Sequence, residues 1–383
     1  MSETESNYSP GLEGVIAGIS GISQIDADNN VLCYRGYNVQ DICDHASFEE
    51  AAFLLFNGDL PTKEQLASFV DSLERERAVP EQVWRVLAQL PPNSEPMDWL
   101  KVAVATLALF DPQAADNSHE ANVAKALRLI AKMPSLVANG YRTILGRPQT
   151  EPKPGLSTAA QFLYLLNGND PDPFFVKALN TTLILYAEHG FNASTFTARV
   201  TVSTLSDLYS GVVSAIGALK GTLHGGANEE VMHMLLEIGD SGNAEPWARN
   251  RLTKSPENPR PRIMGFGHRE YKKGDQRALI VREYTRELGA RLGDKRWGDI
   301  SDILEKFMLE EKGLYPNLDF PVSPAYYLMG IPIPIYTPIF VVSRIVGWSA
   351  HIIEQLDNNR LIRPTNLYNG PERREFVPIQ ERS

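Results

Sequence analysis

Two histidines beside glycines and one carboxylate among prolines stand out in the last half of the chain. His224 lies in GTLHGGANEEV, His268 in MGFGHREYKKGDQR and Asp319 in NLDFPVSPAYYLMG. Two imidazoles and a carboxylate are the equipment for moving protons on and off carbon and oxygen. Arg277, Arg344 and Arg363 follow, and each is able to clamp a carboxylate. His224 directly precedes a predicted helix that opens with Asn228-Glu229-Glu230. The positive end of a helix disfavours imidazolium, so the spacing points to a neutral imidazole donating to a developing enolate oxygen, or else to a simple helix cap. Gly265, Phe266 and Gly267 before His268 form a stretch of main chain that a phosphate or nucleotide is able to approach. The basic run from Arg269 to Lys273, which includes Lys272, either meets phosphates or is a solvated face. Asp319, read as part of a loop punctuated by Pro316, Pro321 and Pro324, is either a turn residue or a base.

Rival chemistries find less support. The glycines around Phe266 lack the third glycine, the preceding strand and the later acidic partner of a dinucleotide fingerprint. Glu230 with His233, and His351 with Glu354, could each present two metal ligands on a helix face, but a di-metal carboxylate bundle needs two further glutamates, and no metal is expected. No GxSxG elbow occurs, and neither Cys33 nor Cys43 lies near a candidate base.

The elements that must position these groups read as almost entirely helical. ISQIDADNNVLCYRG alternates around Asp28-Asn29-Asn30 and predicts a small N-terminal β-hairpin. Ser47 with Glu50 and Thr62 with Gln65 are capping-box signals. Helices are predicted over 81–90, 96–110, 118–146 with a break near Pro134, 157–166, 172–187, 194–219, 275–292, 297–312 and 337–356. Ser210, Gly211, Ser214, Ala215 and Ala218 recur about a turn apart and let a second helix approach, within the chain or from another subunit. Residues 253–268 read as a Pro-rich, then Gly-rich loop delivering His268, and the C-terminus reads as extended.

At 383 residues the chain exceeds the size at which one core keeps growing, so two domains are expected. A net charge of −10 argues against nucleic acid and anionic membranes, both of which want a basic surface. Two cysteines without a disulfide or CxxC pattern fit a reducing cytoplasm. The polar, acidic start is unlike a signal peptide, and the best apolar run is interrupted by Arg344, so no membrane span is expected.

Nearly the whole chain resembles citrate synthase. GLEGVIAGISGISQID, LCYRGY, AEHGFNASTF, GTLHGGANE, GFGHREYKKGDQR, NLDF, SRIVGWSAHIIEQ and IRPTNLY occur in the order and spacing of that family. The resemblance implies a mainly α, two-domain fold: a large helical domain of 1–222 completed by 331–383, and a small domain of 223–330. It implies condensation of acetyl-CoA with oxaloacetate and hydrolysis of the citryl thioester, the reaction that feeds the tricarboxylic acid cycle, with acetyl-CoA a substrate and no cofactor. By resemblance Asp319 is the base, His224 the donor to the thioester oxygen and His268 the acid at the oxaloacetate carbonyl. His189, Arg277, Arg344 and Arg363 would hold oxaloacetate, with Arg363 reaching in from the neighbouring subunit of a homodimer. Gly265, Phe266, Gly267 and Lys272 match the CoA-binding region. The family closes its small domain on the large one. Many bacterial relatives have an aromatic, a Ser and a small residue after the base, where this chain has Pro321-Val322-Ser323, which leaves the acyl-CoA preference open toward propionyl-CoA and 2-methylcitrate synthase. The chain also lacks the N-terminal extension of the NADH-inhibited form, so that control is not expected. A non-catalytic CoA-binding assembly is the alternative from another class.

Overall fold

In the computed structural model, residues 8–255 and 261–382 are described. Their only sheet has three antiparallel strands, β1 (Ser23–Asp26), β2 (Val31–Tyr34) and β3 (Tyr37–Asn38). The predicted hairpin is β1 with β2, paired from Ser23 with Tyr34 to Asp26 with Val31, and Asn30 turns the corner at φ 57°. β3 is a further short strand. Buried Tyr34 ties the sheet to the helices by donating to Ile184 O at 2.8 Å.

Every other regular element among the described residues is helical. The first half of the chain forms α1 (Val39–His45), α2 (Phe48–Asn57), α3 (Lys63–Arg75), α4 (Glu81–Leu87), α5 (Pro96–Leu109), α6 (His119–Ile144), α7 (Thr158–Asn167) and α8 (Pro173–Tyr186). The second half forms α9 (Ala193–Ser203), α10 (Leu208–Leu219), α11 (Ala227–Ile238), α12 (Ser241–Arg251), α13 (Gln276–Leu292), α14 (Arg296–Lys312), α15 (Asp319–Leu328) and α16 (Tyr336–Asp357). Both capping boxes are formed, so Ser47 and Thr62 start α2 and α3 as their spacing requires.

Three expectations are corrected. Residues 194–219 are two helices: Leu205 adopts φ 66°, and Asp207 caps the second helix by accepting from Ser210 N. Nothing but a glycine-free turn marks this break, so helical periodicity runs straight across it. The break near Pro134 does not occur, because α6 is buried on all sides from Ile130 to Gly140 and packing outweighs one missing hydrogen bond. Asp319 is not in a loop; it is the first residue of α15, with Pro321 in the first turn, where its missing N–H costs little.

Helices α11 to α15 pack chiefly on one another, while α16 returns to lie against α6, α8, α9 and α10. Within the small-residue face of α10, Gly211 makes an internal contact, since a Cβ there would come within 2.8 Å of Val202 and 2.9 Å of Ile352. The segment Ile333–Asp357 is long and apolar enough to cross a membrane despite Arg344, but 89% of its most apolar window is buried inside the fold. It is the central core helix.

Candidate active site

An irregular turn at residues 187–190, between α8 and α9, packs against α16, and the candidate groups come from the segments around it. Asp319 comes in on the N-terminus of α15, His224 on the loop between α10 and α11, and His268 on the long loop before α13.

That last loop is pinned to the entry of α15. Gly267 N–H donates to Tyr315 O at 2.8 Å, Asn317 N–H donates to Gly265 O at 2.9 Å, and the Asn317 side-chain amide donates to Gly267 O at 3.1 Å. Asn317 Oδ1 in turn accepts from Asp319 N at 3.1 Å. Gly265 has φ 81°, and a Cβ there would lie 2.8 Å from Val231 and 2.9 Å from Phe320, so only glycine allows the two segments this close. The main chain expected to lie open to a phosphate is therefore partly engaged: the Gly267 N–H already has a partner. Phe266 packs on Phe320 at 4.5 Å, and the exposed Lys272 folds back to donate to His268 O at 3.1 Å.

Hydrogen bonds set the tautomers of both histidines. His224 Nε2 lies 3.3 Å from the Ser194 N–H and 2.8 Å from Ser194 Oγ. A backbone N–H only donates, so Nε2 carries a lone pair and the proton sits on Nδ1. His268 Nδ1 accepts from the Glu270 and Tyr271 N–H groups at 3.1 and 3.3 Å, which puts its proton on Nε2. Burial, then Arg344, pulls His224 down to about 4; burial, then Arg277, pulls His268 down to about 4. Both rings are neutral N–H donors at pH 7. Neutrality of His224 was expected from the α11 N-terminus, but burial is its chief cause.

His189 lies on the turn, its Nε2 3.1 Å from the Tyr271 hydroxyl and its ring centroid 5.0 Å from that of His268. Burial, Arg277, His268 and Arg344 hold it well below the usual imidazole range. Asp319 Oδ1 accepts from Tyr186 OH at 2.6 Å. Desolvation pushes its carboxyl up to about 6, against the pull of Tyr186 and Arg277.

The arginines divide into three cases. Arg277 is buried and forked onto buried Asp275, through Nε at 3.0 Å and Nη2 at 2.9 Å, leaving Nη1 without a partner among the described residues. Arg344 is 2% exposed; only its Nε is bound, to Tyr186 O at 2.6 Å, and the ring of Phe340 lies 4.8 Å away. No carboxylate pairs with it among the described residues, and burial pulls it down to about 10, with Glu188 the first group opposing that. Arg363 is exposed on the extended C-terminal segment, and the structure does not bring it to the other site residues of its own chain.

The candidate metal pairs do not converge. Glu230 and His233 are exposed on α11, while His351 and Glu354 both bind Arg199. No cluster of three or more His, Cys, Asp or Glu suited to a metal occurs among the described residues. Two surface cavities, of about 450 and 350 Å³, open elsewhere, beside Arg77 and Arg128.

Sequence reasoning missed Tyr186, Glu188, Ser194, Tyr271 and Asn317. All five lie within five residues of His189, His268 or Asp319, and Tyr186 is a polar-tipped aromatic closing a buried helix. Ser194 also accepts from Trp348 Nε1 at 3.0 Å, so the core holds the group that sets the tautomer of His224.

Comparison with known proteins shows the family and the fold. The family model for the citrate synthase C-terminal domain matches residues 11–365. The chain is 48% identical to citrate synthase 2 of Bacillus subtilis over 97% of its length and 99% of the relative's. It is also 48% identical to a 2-methylcitrate synthase of Mycobacterium tuberculosis, over 95% of its length and 91% of the relative's. The structure of the ternary complex of carboxymethyl coenzyme A and oxaloacetate with citrate synthase from Thermoplasma acidophilum superposes with a TM-score of 0.92 at 36% identity, covering 98% of this chain and 99% of that one. Fold and sequence thus define an acyltransferase. The chain belongs to the citrate synthase family.

Proposed function

We propose that the chain condenses acetyl-CoA with oxaloacetate and hydrolyses citryl-CoA to citrate and CoA. The observation that carries this is Arg344: a buried guanidinium with two unpartnered nitrogens, beside His189, calls for an anionic ligand. Oxaloacetate supplies two carboxylates, one for Arg344 and one for Nη1 of Arg277, with His189 donating to its carbonyl region.

Asp319 takes a proton from the acetyl methyl while His224 Nδ1–H donates to the thioester oxygen, and the resulting enol is the nucleophile. Its methylene carbon attacks the oxaloacetate carbonyl carbon, and His268 Nε2–H gives its proton to the oxygen that becomes the hydroxyl of citryl-CoA. As the carbon bond forms the enol proton goes back to His224 Nδ1, and the proton held by Asp319 restores His268; water then cleaves the thioester, its oxygen joining the acyl carbon and one of its protons going to the CoA sulfur, which releases CoA and citrate. The steps are acid–base chemistry and require no cofactor. The CoA ester would run along Gly265, Phe266 and Gly267 toward Lys272.

Residues 223–330 act as a small domain that closes on the rest, because the enol must be shielded from water until the carbon bond has formed. Arg363 completes the oxaloacetate site of the second copy in a homodimer, and the enzyme works in the cytoplasm. Propionyl-CoA is a specific second reading, since relatives of both names match at 48% identity. One methylene is worth only roughly 1–3 kcal/mol in such a pocket. Steady-state thiol release from acetyl-CoA and from propionyl-CoA, each with oxaloacetate, tests both. No release from either would overturn the proposal, and a higher kcat/KM for the longer ester would favour 2-methylcitrate synthesis.

A further inference from the structure

Behind His189 lies a chain of buried polar groups to which the reaction steps above assign no part. Glu188 is fully buried. Its Oε1 accepts from Ser23 Oγ at 2.9 Å, from the Gly190 N–H, and from His351 Nε2 at 2.9 Å. His351, also fully buried, receives an N–H from Arg199 on Nδ1 at 2.9 Å, which fixes its proton on Nε2, facing Glu188. Arg199 is held in turn by Glu354 at 2.7 Å and Gln355 at 3.1 Å. The row therefore runs Glu354, Arg199, His351, Glu188, and ends on the backbone of Gly190, next to His189.

α16 grips the same turn from one face. Arg344 Nε donates to Tyr186 O, Gly347 N–H lies 3.1 Å from Ala187 O, and His351 meets the Glu188 carboxylate, at positions spaced one and two turns along the helix. A Cβ on Gly347 would sit 2.4 Å from Glu188 Oε2, so the glycine makes room for that oxygen, which has no hydrogen-bond partner of its own. Gly190 has φ 57°, a conformation that the Glu188 carboxylate holds by closing the turn over His189.

We propose that Glu188 is a positioning residue for the oxaloacetate site: its carboxylate closes the turn that aims His189, and His351 and Arg199 hold that carboxylate from behind. Three donors converge on one oxygen, which an anion accommodates and a neutral amide does so far less well. Burial works against the charge, but His351, Arg344 and Ser23 outweigh it and keep the carboxyl below its usual range. The inference rests on the reading of His189 as an oxaloacetate ligand.

The test is the split between the two substrates. Glu188→Gln keeps the shape and removes the charge; it should raise the KM for oxaloacetate about tenfold or more while the KM for the CoA ester moves less than about twofold. Ser23→Ala, at a partly buried strand position, removes one of the three donors and should give the same split at about two- to threefold. If Glu188→Gln does not fold, Ser23→Ala decides on the same criterion. An unchanged oxaloacetate KM in the variants that fold, or equal losses for both substrates, would overturn the positioning role. His189→Ala run in parallel separates the two levels. If it raises the oxaloacetate KM and the Glu188 and Ser23 variants do not, the chain is only structural and the ligand role of His189 stands. If His189→Ala also changes nothing, both readings fall.

Discussion

Tyr186 and Asp319 share a hydrogen bond of 2.6 Å, which joins the last residue of α8 to the first of α15. Desolvation lifts the Asp319 carboxyl to about 6, and the phenol is the first of the groups that hold it from rising further. Removing that phenol must raise the carboxyl again. A base works only when ionised, so Tyr186→Phe should move the acidic limb of the kcat profile to higher pH by about one unit. At pH 7 that shift takes the ionised fraction from about nine-tenths to about half, so the loss there is about twofold and becomes several-fold only below about pH 6; measurement of kcat from acid to neutral pH decides. A limb that stays in place would separate Tyr186 from the base.

Asp319→Ala, His224→Ala and His268→Ala should each fold and lose kcat by about 10²–10⁴, because each removes a group that the proposed mechanism uses in the transition state. Near-parent activity in one variant would strike that residue from the mechanism. Ser194→Ala is expected to act through His224, as it removes the hydroxyl that lies 2.8 Å from Nε2 while leaving the backbone N–H in place. It should therefore lower kcat less than His224→Ala does.

The two buried arginines should behave oppositely in stability. Arg277→Ala strands Asp275, which is 3% exposed, and should cost about 3–5 kcal/mol as well as weaken oxaloacetate binding. Arg344 has no carboxylate partner among the described residues, so Arg344→Met removes a buried charge and should leave the melting temperature level or raise it. Oxaloacetate binding should still collapse. Thermal unfolding without ligand, followed by oxaloacetate titration, tests both. Equal destabilisation by the two changes would mean that Arg344 is a structural ion rather than a ligand clamp.

The helices were legible where caps and periodicity agree, as at Ser47 and Thr62, and illegible where tertiary packing overrides them. Pro134 does not break α6, because the surrounding core holds that helix together; Leu205 does break the predicted 194–219 helix, although no glycine or proline announces it. His224, His268 and Asp319, the proposed proton-transfer groups, stood out through their glycine and proline surroundings. Their supports did not: Tyr186, Ser194 and Glu188 look ordinary in sequence, and their importance arises from contacts across more than 25 residues, such as the 133 that separate Tyr186 from Asp319.

Arg363 offers the sharpest test. It is exposed and makes no hydrogen bond or ion pair among the described residues, in a segment whose neighbours Leu361, Leu367 and Tyr368 are exposed as well. If it serves a second copy of the chain, a dimer that mixes an Asp319→Ala chain with an Arg363→Ala chain holds one site with both lesions and one with neither. The intact site should then work, and two inactive proteins co-expressed should recover up to about half the activity of the parent dimer per heterodimer. If each chain instead builds its site alone, every site carries one lesion and mixing restores nothing. Native mass spectrometry of the mixed species supplies the control. Heterodimers present without recovered activity would refute the shared site, and would leave Arg363 as a surface residue of a chain whose oxaloacetate pocket is complete with Arg277, Arg344 and His189.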